Sequence, residues 1–205
     1  MRREIRCLAA FAWLMISAGA VRAEGTIVGA SAPDFMLSDA AGTPHRLSEY
    51  RGKFVVLEWF NNECPFVRKH YDSGNMQALQ AAYTGHGVIW LTIASSAPGK
   101  QGYLTPSAAT QVIQQRQAKQ TALLLDPDGM AGRRYGAKTT PHVFVINPEG
   151  MVIYAGALDD QPSFDPAGLS TATNYVRQAL DQAMAGKPVS VASTRPYGCS
   201  VKYQQ

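Results

Sequence analysis

Leu57-Glu58-Trp59-Phe60-Asn61-Asn62-Glu63-Cys64-Pro65-Phe66-Val67-Arg68-Lys69-His70-Tyr71 is the stretch on which the reading of this 205-residue chain turns. The apolar run Phe54-Val55-Val56-Leu57 leads into it and reads as a buried strand. Three polar residues, Asn61 to Glu63, end that run before Cys64. Pro65 follows directly, at a position where a helix needs no backbone N–H, and a helical pattern continues through Val67 and Tyr71. Cys64 is therefore expected where a strand gives way to a helix. Unpaired N–H groups and the positive end of the helix macrodipole face that point, which favours thiolate over thiol. The alternative is a cysteine that merely packs, as buried cysteines do; the polar triplet before it and the proline after it speak for reactivity.

Outward from this stretch, apolar runs alternate with helical patterns. Upstream, Pro33–Leu37 and His45–Leu47 flank a small, Gly-containing turn and read as a hairpin. Downstream, the helix is expected to break at Gly74 and resume over Met76–Tyr83. Val88–Ile93 and Ala122–Leu125 read as further buried strands. A helix from the Thr105-Pro106 cap to about Lys119 lies between them, and a short helix over Met130–Tyr135 follows. Thr140-Pro141 then opens a hairpin, Val143–Ile146 and Met151–Tyr154, turned by Asn147-Pro148-Glu149-Gly150. A last helix is expected over about Thr171–Ala185, and the tail 187–205 shows no period. This order predicts an α/β fold: a central mixed sheet flanked by helices, with right-handed crossovers and an antiparallel hairpin at one edge.

The first 23 residues read as a signal peptide. Arg2, Arg3 and Arg6 precede an apolar stretch too short to span a bilayer, and Val21-Arg22-Ala23 offers a cleavage site. Cleavage after Ala23 would place the mature chain, residues 24–205, in the periplasm as one domain. The chain's net charge of +4 is mostly leader; the mature part falls near +1, which gives no reason to expect nucleic acid. Cys7 leaves with the leader. Cys64 and Cys199 remain, and two cysteines in an oxidising compartment suggest a pair. From Gly186 the extended tail reaches roughly 40 Å, enough to bring Cys199 to Cys64.

Three further features point to a family. Trp59-Phe60 ends a strand, a reactive Cys opens a helix, and Thr140-Pro141 precedes a hairpin. Together they resemble the thioredoxin fold. The entry APDFMLSDAAGTPHRLSEYRGKFVVLEWF (residues 32–60), the segment from Trp59 to Val67 and the tail Gly198-Cys199-Ser200-Val201-Lys202-Tyr203 look like bacterial secreted peroxiredoxin-like (AhpC/TSA-related) redoxins. The resemblance implies a thioredoxin-like domain with an N-terminal β-hairpin extension and a C-terminal tail. It also implies thiol–disulfide or weak peroxide chemistry with Cys64 as nucleophile and Cys199 as resolving partner. No cofactor and no metal is implied. The partners would be a peroxide or a protein thiol or disulfide, together with an external thiol reductant.

By the same resemblance Pro65 opens the helix, and Pro141, after Thr140, is expected to be cis and to lie against Cys64. Asn61 stands where thioredoxins carry the first Cys of C-x-x-C and peroxiredoxins a Thr or Ser, so its amide would have to orient a peroxide. Leu57 replaces the peroxiredoxin Pro, and Pro141 occupies the place expected for its Arg. These departures weaken the peroxidase pattern and leave thiol exchange intact.

Other readings stay open. A Cys64–Cys199 bond that never cycles would be a structural staple in a binding module, with the Ser95–Tyr103 loop offered to a partner. Cys64, His142 and Cys199 could surround copper or zinc. His70 reads as a polar surface residue. Glu58 reads as solvated or paired, with a proton-acceptor role only if it is buried beside Cys64.

Overall fold

The computed structural model describes residues 27–204; the leader and its cleavage site lie outside the described residues. Seven strands form one mixed sheet: β1 (Met36–Asp39), β2 (Pro44–Arg46), β3 (Val55–Trp59), β4 (Ile89–Ala94), β5 (Ala122–Leu125), β7 (His142–Ile146) and β8 (Val152–Gly156). Their order across the sheet is β2-β1-β5-β4-β3-β7-β8. The central strands β3, β4 and β5 run parallel, while β7, β8 and the β1–β2 hairpin are antiparallel. The helices are α1 (Pro65–Asp72), α2 (Asn75–Thr84), α3 (Pro106–Arg116), α4 (Met130–Tyr135) and α5 (Tyr175–Met184). A two-residue pair, β6 (Thr139–Thr140) and β9 (Cys199–Ser200), stands apart from the main sheet.

The central strands are buried on both faces, as expected of apolar runs covered by helices. On β3, Val55, Leu57 and Trp59 pack with Phe144, Tyr135 and the N-terminal hairpin. Val56 and Phe60 point the other way, into the cluster built with α1, α2, α3 and α5. Glu58 shares that second face and has no exposed surface.

Several boundaries differ from the sequence reading. The helix α3 stops at Arg116, because Gln117 takes a left-handed conformation (φ 48°). The helix α5 begins only at Tyr175, where Asn174 caps it by accepting from the Arg177 N–H. Residues 157–174 instead make a long connection with one short 3-10 turn, Pro166–Ser170. The tail, read as aperiodic, gains a fixed course by pairing Cys199 with Thr140. The break between α1 and α2 falls at Gly74 (φ 76°), as the sequence suggested.

Candidate active site

Cys64 is the N-cap of α1, with Pro65 behind it in the first turn. Its Sγ lies 3.0 Å from the carbonyl oxygen of Thr140, and the Thr140–Pro141 bond is cis. Thr140 is the register partner of Cys199, so the short β6–β9 pair carries Cys199 to Cys64. Both cysteines are present as free thiols, and the pairing of Cys199 with Thr140 sets them side by side. Cys64 has no exposed surface, while Cys199 is partly exposed. The tail thus covers one sulfur and presents the other.

The two thiols differ in acidity. Burial alone would raise Cys64, but hydrogen bonds from the Cys199 thiol, the Thr140 side chain and the Val67 N–H outweigh it and hold Cys64 below an ordinary thiol. Val67 lies in the first turn of α1, so the helix N-terminus contributes as its geometry requires. Burial, followed by the hydrogen bond to Cys64 and the charge there, pushes Cys199 up to about 12. Of the two sulfurs Cys64 is thus the more acidic and Cys199 the better holder of a proton.

Asn61 is buried in the loop before α1. Its Oδ1 accepts from the Glu63 N–H at 2.8 Å, and its Nδ2 donates to the Gln101 carbonyl at 3.4 Å. The amide is engaged with its own loop and with residues 101–102, so it ties the active-site loop to the Ser95–Tyr103 loop. The carbonyl of Asn61 also receives the Cys64 N–H at 3.0 Å.

Glu58 departs from the solvated reading. It accepts from Trp90 Nε1 (2.8 Å), Tyr71 Oη (2.9 Å), Thr92 Oγ1 (3.2 Å) and Gln80 Nε2 (3.3 Å). Burial raises its pKa, and the four donors offset part of that cost. Tyr71 and Gln80 come from α1 and α2, so this network anchors the Cys64 helix to the sheet. Its one trace in the sequence is an acidic residue inside an apolar strand.

His142 and His70 are both buried, not surface residues. His142 Nδ1 accepts the Lys138 N–H at 3.3 Å, its ring sits 4.5 Å from that of Phe144, and burial lowers its pKa to about 4. Among the described residues no group of three His, Cys, Asp or Glu is arranged to hold a metal. His70 belongs instead to a buried polar cluster with Lys69, Asp159 and Tyr197. That cluster was missed in the sequence, since Asp159 and Tyr197 stand far from α1 in the chain.

Comparison with known proteins places these features. The family model described as the AhpC/TSA family matches residues 28–155. The thiol-disulfide oxidoreductase ResA of Geobacillus thermodenitrificans is 29% identical over 125 residues, covering 61% of this chain and 66% of that protein, a little under two thirds. The crystal structure of an uncharacterized conserved protein from Geobacillus kaustophilus superposes with a TM-score of 0.76 at 26% identity, covering 86% of this chain and 92% of the other. The thioredoxin domain of a thiol-disulfide oxidoreductase from Bacteroides vulgatus superposes with a TM-score of 0.51 at 16% identity over 70% of this chain and 95% of the other, a likeness of fold alone. No helix among the described residues is long and apolar enough to cross a membrane.

Proposed function

The chain belongs to the AhpC/TSA family, and from that premise we propose that it is an exported thiol–disulfide oxidoreductase cycling between a Cys64/Cys199 dithiol and its disulfide. The observation that carries the reading is the contact between a thiolate-prone Cys64 at a helix N-terminus and a Cys199 thiol held beside it by β6–β9. The relative named as a thiol-disulfide oxidoreductase supports the same class of chemistry.

In the exchange step the Cys64 thiolate attacks one sulfur of a substrate disulfide. The substrate S–S bond breaks, a mixed disulfide forms on Cys64, and one substrate thiolate leaves. The Cys199 thiol, losing its proton, then attacks Cys64 Sγ. The intramolecular disulfide forms and the second substrate thiolate leaves, so the protein loses two electrons and the substrate gains them. An external thiol returns the pair to the dithiol. Because Cys64 is fully covered, substrate reaches it only when the two-residue β6–β9 pair parts. The Thr140 backbone carbonyl lines the reacting sulfur, and Pro65 starts the helix that favours the thiolate.

A hydroperoxide is the second reading, with Cys64 oxidised to a sulfenic acid that Cys199 resolves with loss of water. Exchange is favoured because the Asn61 amide is bonded to its own loops. Export with cleavage after Ala23 belongs to the same proposal, and an intact mass retaining Met1 to Ala23 on the exported protein would remove that part. The chemistry is tested with a chromogenic aromatic disulfide and the two serine variants. Cys64→Ser should lose reaction with the probe, and Cys199→Ser should stop at a stable mixed disulfide on Cys64. A Cys64→Ser protein as fast as the parent would overturn the assignment.

A further inference from the structure

Lys69, one turn beyond Cys64 on α1, has a fully buried side chain. Its Nζ donates to the Gln161 carbonyl at 2.8 Å and to Tyr197 Oη at 3.3 Å, and stands 3.6 Å from Asp159 Oδ2. Tyr197 Oη in turn donates to Asp159 Oδ1. The Tyr197 ring packs edge-on against Phe66, 5.8 Å away. Asp159 Oδ2 and His70 Nε2 face each other at 3.8 Å, and neither has a hydrogen-bond partner. Burying an ammonium and a carboxylate is costly, and an incompletely satisfied cluster contributes little to stability compared with an apolar one. Such a cluster does, however, fix geometry through directional bonds.

What it fixes is the tail. Tyr197 stands two residues before Cys199, and Gly198 between them lies so close to the Thr140 carbonyl that a Cβ there would come within 2.1 Å. The helix carrying Cys64 and the strand carrying Cys199 are thus referenced to one buried point. We propose that Lys69, Asp159 and Tyr197 form a clamp that positions the tail, holding Cys199 against Cys64 and thereby setting the effective concentration of one thiol at the other. None of the three touches the reacting sulfurs, so they are positioning residues. The proposal rests on the reading that the two cysteines exchange.

The clamp acts on an intramolecular equilibrium, so its loss should appear in the stability of the disulfide and not only in that of the fold. The test equilibrates the full chain with oxidised and reduced glutathione and quantifies the Cys64–Cys199 disulfide by mass spectrometry after acid quenching. Tyr197→Phe keeps the ring against Phe66 and removes only the hydroxyl bonds. Lys69→Met removes the ammonium. Tyr83→Phe serves as a control, since it deletes hydrogen bonds to Asp181 and the Arg177 carbonyl that involve neither the clamp residues nor the cysteines.

Each clamp variant should lower the equilibrium constant for disulfide formation by about tenfold, a rise in potential of about 30 mV. Tyr83→Phe should lower thermal stability and leave the potential in place. Constants for Tyr197→Phe within threefold of the parent would overturn the clamp. An equal shift in Tyr83→Phe would do the same, by tracing the effect to general destabilisation. A parent protein that forms no Cys64–Cys199 disulfide would sink the exchange reading itself, and the clamp with it.

Discussion

Gly198→Ala tests how Cys199 is delivered to Cys64. Gly198 has φ of +129°, and an added Cβ would sit 2.1 Å from the Thr140 oxygen and 2.8 Å from its carbonyl carbon, where ordinary contact begins at 3.4 Å. Two costs follow. Holding a non-glycine residue in this region strains the backbone by about 1–3 kcal/mol. Relieving the overlap requires the strands to move apart by more than about 1 Å, beyond what the hydrogen bonds of β6–β9 tolerate. Those bonds are worth about 0.5–1.5 kcal/mol each, net. The cheaper outcome is release of the tail, so stability should fall by about 1–3 kcal/mol. Cys199 would then wander from Cys64, so the first release of aromatic thiol should be no slower, while closure to the Cys64–Cys199 disulfide, and with it steady-state turnover, should fall by roughly tenfold or more. Urea unfolding gives the first quantity and stopped-flow reduction of an aromatic disulfide the second. Gly87→Ala provides the comparison, because its φ is also positive (+82°) but a Cβ meets nothing within 4 Å. It should lose stability and keep its turnover. A Gly198→Ala protein with unchanged unfolding and unchanged turnover would refute the account of the tail.

Other outcomes follow from the same geometry. With peroxide in place of a disulfide, Cys199→Ser should leave a sulfenic acid at Cys64 that dimedone traps, whereas Cys64→Ser should yield no adduct; an adduct on Cys64→Ser would show that another group is oxidised. Burial lowers the His142 pKa to about 4, so the unfolded chain binds the extra proton first. Stability should therefore fall as pH drops from about 6.5 toward 4, by on the order of 3 kcal/mol from this residue. His142→Gln should flatten that segment of a pH series of denaturant unfolding curves, and an unaltered slope would contradict the assignment. Glu58 carries the opposite sign: burial raises its pKa, so its contribution is full below about 4.5 and is lost as pH rises through its folded value. Glu58→Gln, with its amide turned to Tyr71 and its oxygen kept for Trp90 and Gln80, should be more stable relative to the parent at pH 7 than at pH 4; a difference that ran the other way would exclude a raised carboxyl.

The elements that the sequence made legible are those governed by local rules. The apolar run ending in Trp59, the proline after Cys64, the Thr105 cap and the Asn147–Gly150 turn each carry their own signal, and each lies where local chemistry puts it. The start of α5 lies later than the Thr171 expected from the sequence, because Asn174 supplies the cap that forms. What no local rule could supply was pairing at long range. Cys199 meets Thr140 through a ladder two residues long, too short to show a period. Lys69, Asp159 and Tyr197 come together from three distant segments, and charged residues of that kind ordinarily sit in water. Glu58 is similar: an acid in a strand can be buried only if donors from other elements reach it, and Trp90, Tyr71, Thr92 and Gln80 are spread over 22 residues.

The central claim is that Cys64 and Cys199 form a cycling couple, and their reduction potential tests it most directly. The protein is equilibrated over a graded series of glutathione or dithiothreitol buffers, and the Cys64–Cys199 peptide pair is quantified at each potential. The account predicts one two-electron transition between roughly −120 and −270 mV, the range of proteins that exchange disulfides. A midpoint below about −300 mV would mean a bond that resists reduction and serves as a staple. That result, or no bond between these two residues at any potential, would contradict the account.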